Sequence, residues 1–187
     1  MPDSEVQSIR DLIYYQYSKL ICRSAFKMAD GVSAKGEHYG FIKKTFRELK
    51  SGSKIWSDII REDLQFVEVV KVCIYCGSAF DVSQDHIVPR SLKLLIKCAE
   101  CDRIQGIHNL VWACKSCNSS KGVKGLYEYY KSKYPADKKF YDRIPPLAEK
   151  KYLKTMYFCH ECAGTLDSSD PNQDGHIDVL DIDFILH

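Results

Sequence analysis

Eight of the nine cysteines in this 187-residue chain fall into four Cys-x-x-Cys pairs: Cys73/Cys76, Cys98/Cys101, Cys114/Cys117 and Cys159/Cys162. In a reducing compartment, regularly spaced thiol pairs hold metal more readily than they form disulfides. Each pair offers two thiolates from one tight turn, and two such turns brought together supply the four tetrahedral ligands that zinc prefers. Cys73/Cys76 and Cys114/Cys117 are read as one such site, closing a loop over residues 73–117. A four-cysteine site has no open coordination position, so its role is structural. The ninth cysteine, Cys22, lies in a helical pattern and reads as a small buried apolar residue.

Hydrophobic (45%) and charged (28%) fractions are those of an ordinary folded protein. No apolar run approaches the roughly eighteen residues of a membrane span, and residues 1–10 lack the basic-then-apolar pattern of a secretory signal. The expectation is a cytoplasmic protein with no membrane partner. The net charge of +2 hides a division along the chain. Residues 1–85 carry twelve basic and twelve acidic side chains, residues 86–155 fifteen and six, and residues 156–187 none and seven. A middle segment of net +9 suits a phosphate backbone, where Lys and Arg supply most of the non-specific affinity; a solvated basic face is the alternative.

Apolar residues recur at helical spacing from Ser4 to about Met28. A second helix is expected from about Tyr39 to Lys50, ending at Ser51-Gly52-Ser53, and a third from about Trp56 to Leu64 before a β-like run, Phe66 to Val70. From Val70 to Lys121 the texture changes to short strands and knuckles. Beyond Gly122 and Gly125 an aromatic, basic helical stretch runs from Leu126 to Tyr134, with Pro135 and Pro145-Pro146 as breaks.

Between the two knuckles lies Asp85-His86-Ile87-Val88-Pro89-Arg90-Ser91; Asn109-Leu110 precedes the second knuckle, and Cys114-x-x-Cys117-Asn118-x-x-Lys121 forms it. With these elements in this order, residues 70–122 resemble the HNH endonuclease family. The resemblance implies the ββα-metal fold, in which a hairpin and a helix clasp one divalent ion. It places Asp85 and His86 at the end of the first strand, Asn109 at the opening of the second, and Asn118 at the start of the helix. Phosphodiester hydrolysis needs a nucleophilic water, charge stabilisation on the phosphate and help for the departing 3′ oxygen. A neutral histidine can take the water's proton, so His86 is the expected general base. Asp85 and Asn118 are the expected ligands of Mg2+ or Mn2+, hard cations that accept oxygen donors. Asn109 is expected to brace the loop and orient His86. The third family position, often histidine, is asparagine here. Arg90, Lys115, Lys121 and Lys124 flank the site and are candidate phosphate contacts, and Trp112 is expected to pack in the small core.

Cys98/Cys101 and Cys159/Cys162 have only each other left as partners, which suggests a second zinc site; replacement of one thiolate by His160 and a meeting across a dimer stay open. The segment Asp170, Asn172, Asp174, Gly175, His176, Asp178 and Asp181 has the spaced oxygens and turn glycine of a Ca2+ loop. It resembles half of a dockerin or EF-hand module, with Asp181 in place of the usual glutamate and without an evident incoming helix. An acidic turn that keeps the tail off nucleic acid is the alternative.

The expectation is an α+β protein with three regions: a mainly helical 1–69, a zinc-stapled ββα-metal nuclease core at 70–125, and an extension at 126–187 with the basic helix, cysteine pair and acidic tail. Its expected function is metal-dependent cleavage of DNA, duplex favoured, in a restriction or defence setting and as a homodimer where both strands are cut. The alternative is a non-catalytic, zinc-containing nucleic-acid binding module.

Overall fold

The structure, a computed structural model, describes residues 4–28, 36–55, 71–92 and 102–187. Helix α1 spans Ile9–Ala25, shorter at both ends than the apolar pattern suggested. Ser8 caps it by accepting the Asp11 N–H, and Asp11 in the first turn and Arg23 in the last suit the helix dipole. Its buried face carries Ile9, Leu12, Ile13 and Leu20. Helix α2 spans Gly36–Lys50 and turns Ile42, Phe46 and Leu49 inward. Gly52, at φ +75, ends it as expected. The two helices pack together through the edge-to-face pair Tyr15–Phe46 (5.9 Å) and a Lys50–Asp11 hydrogen bond of 3.0 Å. The expected third helix and the β-like run lie outside the described residues.

Strands β1 (Val82–His86) and β2 (Leu110–Cys114) form an antiparallel pair in which Asp85 faces Val111 and His86 faces Leu110. Strand alternation sends Val111 and Ala113 to the buried face. Trp112 therefore lies half-buried on the other face, with the Lys71 ammonium 4.8 Å from its ring centroid, and not in the core as expected. Helix α3 (Lys115–Lys121) follows β2 directly.

The aromatic helix α4 spans Leu126–Lys133. Helix α5, Pro146–Ala163, corrects the reading of Pro145-Pro146 as a simple break. Pro146 occupies the first helical position, where its missing N–H goes unneeded and its fixed φ favours initiation. Gly164 closes α5 at φ +69, donating to the carbonyls of Glu161 and His160. The N–H groups of Ile9 and Arg10 donate to the Ser168 and Leu166 carbonyls, tying α1 to the segment after α5. A single buried cluster runs through Leu12, Phe46, Val111, Tyr127, Tyr152 and Ile182, so helices, hairpin and tail share one core among the described residues. No helix there is long and apolar enough to cross a membrane.

Candidate functional site

The four sulfurs of Cys73, Cys76, Cys114 and Cys117 lie within 4.8 Å of one another. Those of Cys76 and Cys114 are 3.8 Å apart, the edge expected of a tetrahedron with zinc–sulfur bonds of about 2.3 Å. Local backbone builds each half. In the first knuckle the Gly77 N–H donates to the Cys73 carbonyl (2.7 Å), with Gly77 at φ +76 where other residues strain. The Ile74 N–H then joins that turn to β2 at the Trp112 carbonyl (2.8 Å). In the second, Cys114 caps α3 and its sulfur accepts the Cys117 N–H at 3.5 Å. That backbone donor draws the Cys114 thiol down to about 7, whereas burial pushes the Cys117 thiol up to about 12. The donor set fits zinc.

Of the other two pairs, Cys98 and Cys101 lie outside the described residues. Cys159 and Cys162 sit on the last turns of α5, the first buried and the second exposed. Both ring nitrogens of His160 make hydrogen bonds: Nδ1 with Thr165 Oγ1 at 2.8 Å and Nε2 with the Ile182 carbonyl at 3.0 Å.

At the end of β1, Asp85 is buried and His86 half-buried, pointing to opposite faces of the strand. Asp85 Oδ2 accepts the Tyr75 hydroxyl at 3.0 Å and lies 3.5 Å from the Lys121 ammonium. The His86 imidazole is held below the usual histidine range, first by burial and then by the charge of Arg90. Asn109 is fully buried just ahead of β2. Its carboxamide accepts from the Val88 N–H (2.8 Å) and donates to the carbonyls of Val88 (2.7 Å) and Ile104 (2.8 Å), clamping the chain that leaves His86. Asn118 is half-buried at the fourth residue of α3, not at its start. The helix begins three residues earlier because Cys114 caps it.

The basic residues divide. Arg90 and Lys115 are exposed and Lys124 is half-buried. Lys121 is 1% exposed and donates to the His86 carbonyl at 2.9 Å, so it is an interior strut and not a phosphate contact. Lys151, counted in the basic segment, is also buried and donates to the carbonyls of Ile107 (3.2 Å) and Leu110 (2.8 Å). Part of the +9 is therefore internal. Tyr75 escaped sequence reading: as the second variable residue of a Cys-x-x-Cys turn, it carries no signal of its own.

This arrangement of knuckle, hairpin and short helix defines a class, and comparison with known proteins agrees. Residues 73–124 match the family model "HNH endonuclease". Over that segment, less than a third of its length, the chain is similar to the HNH endonuclease family. No curated protein and no solved structure matches the chain.

Proposed function

We propose that this protein is an endonuclease that hydrolyses phosphodiester bonds in DNA, with His86 as general base and Asp85 and Asn118 as the protein ligands of Mg2+ or Mn2+. One observation carries the reading: a half-buried imidazole at the end of β1, held below the usual histidine range by burial and Arg90, beside a carboxylate on the opposite face of the same strand. A neutral imidazole can take a proton from water. Among the described residues the hydrogen bond from Tyr75 and the ion pair with Lys121 both fall on Asp85 Oδ2, and Oδ1 is the atom this reading assigns to a cation. When bound, the cation supplies charge stabilisation to the phosphate and the leaving oxygen. Asn109 positions His86 through residues 87 and 88, and Arg90, Lys115 and Lys124 grip phosphates beside the cut.

Duplex cutting calls for two active sites, and a homodimer is the economical way to supply them. A second zinc held by Cys98, Cys101, Cys159 and Cys162 would pin α5 against the core. Thiols gathered for zinc suit the reducing cytoplasm, and a restriction or defence setting is the biological role this reading implies. Residues 70–125 form the nuclease region, with 1–69 and 126–187 as additions around it.

The second reading, a binding module without catalysis, draws on the Lys121–Asp85 ion pair, which already neutralises the proposed cation ligand. Incubation of zinc-loaded protein with supercoiled plasmid and magnesium, against an EDTA control, separates the two. Nicked or linear product only with magnesium supports the nuclease; bound but uncut DNA with magnesium, manganese and calcium supports the module. Discrete fragments would mark a restriction enzyme.

A further inference from the structure

The two faces of the hairpin differ in what they leave to solvent. On one, Val111 and Ala113 are fully buried in the core and Asp85 turns inward, and of the β1 residues on that side only Ser83 is exposed. The other face carries His86 at the strand end, Gln84 two residues back, and their cross-strand partners Leu110 and Trp112. Gln84 is exposed, and among the described residues its carboxamide makes no hydrogen bond. Lys71 is exposed too. Its ammonium lies 4.8 Å from the Trp112 ring centroid and has no ion pair among the described residues. The Ile74 N–H, donated to the Trp112 carbonyl at 2.8 Å, ties the segment that carries Lys71 to this point of β2.

A general base must reach the water that attacks the phosphate, so substrate lies against the face that presents the imidazole. The opposite face is closed by the core. We infer that DNA runs back from His86 along the Gln84 face of the hairpin, with the Gln84 amide donating to a phosphate near the cut and the Lys71 ammonium, steadied on Trp112, pairing with a phosphate beyond it. The inference rests on the reading of His86 as general base and adds the path that substrate takes away from the cut. At about 3.3 Å per residue, β1 sets Gln84 about 7 Å from His86, which is two base steps of about 3.4 Å.

The donors suit a phosphate backbone. A carboxamide offers two N–H groups, and an ammonium without a carboxylate partner replaces a released counterion. Contact with the Trp112 ring restrains the long Lys71 side chain while leaving its charge in solvent, so less freedom is lost when a phosphate arrives. Both residues bind substrate, and neither takes part in proton transfer.

The test places charge on each face in turn. Gln84→Glu and Gln84→Lys are compared with Ser83→Glu and Ser83→Lys, one residue away on the opposite face and equally exposed. At about 0.15 M salt, charges more than about 8 Å from a phosphate are largely screened, so the response reports the face and not the net charge. Binding of a fluorescently labelled DNA duplex to the full-length, zinc-loaded proteins is read by anisotropy without magnesium. Cleavage of supercoiled plasmid is read on the same samples with magnesium. Gln84→Glu should weaken binding about tenfold and Gln84→Lys tighten it, while both Ser83 variants stay within about twofold of wild type. Lys71→Ala should lower the slope of log K against log salt by about one. Opposite responses to Glu and Lys at one exposed position cannot arise from a loss of folding. Equal effects at positions 83 and 84, unchanged binding in Gln84→Glu, or a wild type that binds no DNA overturns the interface. Binding that follows the expected pattern with no cleavage by any of the proteins supports the interface and overturns His86 as general base.

Discussion

The buried ammonium of Lys121 donates to the backbone carbonyl of His86 at 2.9 Å while lying 3.5 Å from the Asp85 carboxylate. One side chain from α3 thus pins both residues at the end of β1. Removing the ammonium leaves a buried carboxylate and a carbonyl without their partner. Lys121→Met is expected to lower stability by about 3 kcal/mol in urea denaturation and to reduce cleavage with it. Exposed Lys115 should behave oppositely: Lys115→Ala leaves the denaturation midpoint unchanged but lowers DNA affinity and the slope of log K against log salt by about one. Equal effects of the two substitutions on stability would contradict this division.

Asn109 satisfies three buried backbone groups at once. Asn109→Ala strands all of them and should cost about 3 kcal/mol, since each orphaned group costs roughly 1–3 kcal/mol less what water recovers. Hydrogen exchange would show the Val88 amide losing protection ahead of the amides of α1. Unchanged protection at Val88 would remove Asn109 from its bracing role.

A Cβ added to Gly125 would lie 2.2 Å from Asp183 Cγ. Gly125→Ala must therefore displace either the first turn of α4 or Asp183, losing the Glu128 hydrogen bond. A fall in stability of about 2–3 kcal/mol is expected from chemical denaturation. Stabilisation, the usual effect of replacing an unconstrained glycine, would show that the contact relaxes freely.

Burial raises the Asp183 carboxyl from an ordinary 3.8 to about 7, and that of Glu149, bonded by the Tyr127 hydroxyl, from 4.5 to about 7. Because the folded protein binds these protons more tightly than the unfolded chain, their contribution is fully present below about pH 4 and is lost as pH rises towards 7. Buried His160, lowered from 6.5 to about 4, works the other way, destabilising the fold as pH falls between those values. Asp183→Asn keeps the shape and removes one titration. Its Tm should decline less than the wild type's between pH 4 and 7, and a parallel decline would show that Asp183 ionises normally.

Much of the site was legible because its chemistry demands residue types at fixed spacing. Two Cys-x-x-Cys turns announced the four-cysteine cluster, and Asp85-His86 stood at the strand end where the HNH resemblance placed them. Tertiary partners were not legible. The burial of Lys121 depends on α3 packing across β1, and a lysine after an Asn-x-x spacing reads equally well as a surface cation. Trp112 was misplaced because its neighbours Val111 and Ala113 claim the buried face of a two-residue period. Helix α5 was passed over because Pro145-Pro146 carries both meanings, stop and start; only the eighteen-residue helix that Pro146 opens resolves them.

The central claim is that His86 acts on water at a site that binds DNA independently of it. Its most direct test is cleavage of supercoiled plasmid by wild type and His86→Ala with magnesium, with DNA affinity measured on the same samples. A loss of cleavage of about 10^2- to 10^4-fold at unchanged affinity is the predicted result. Cleavage by the variant at the wild-type rate, or no cleavage by either protein while both bind DNA, would contradict the account.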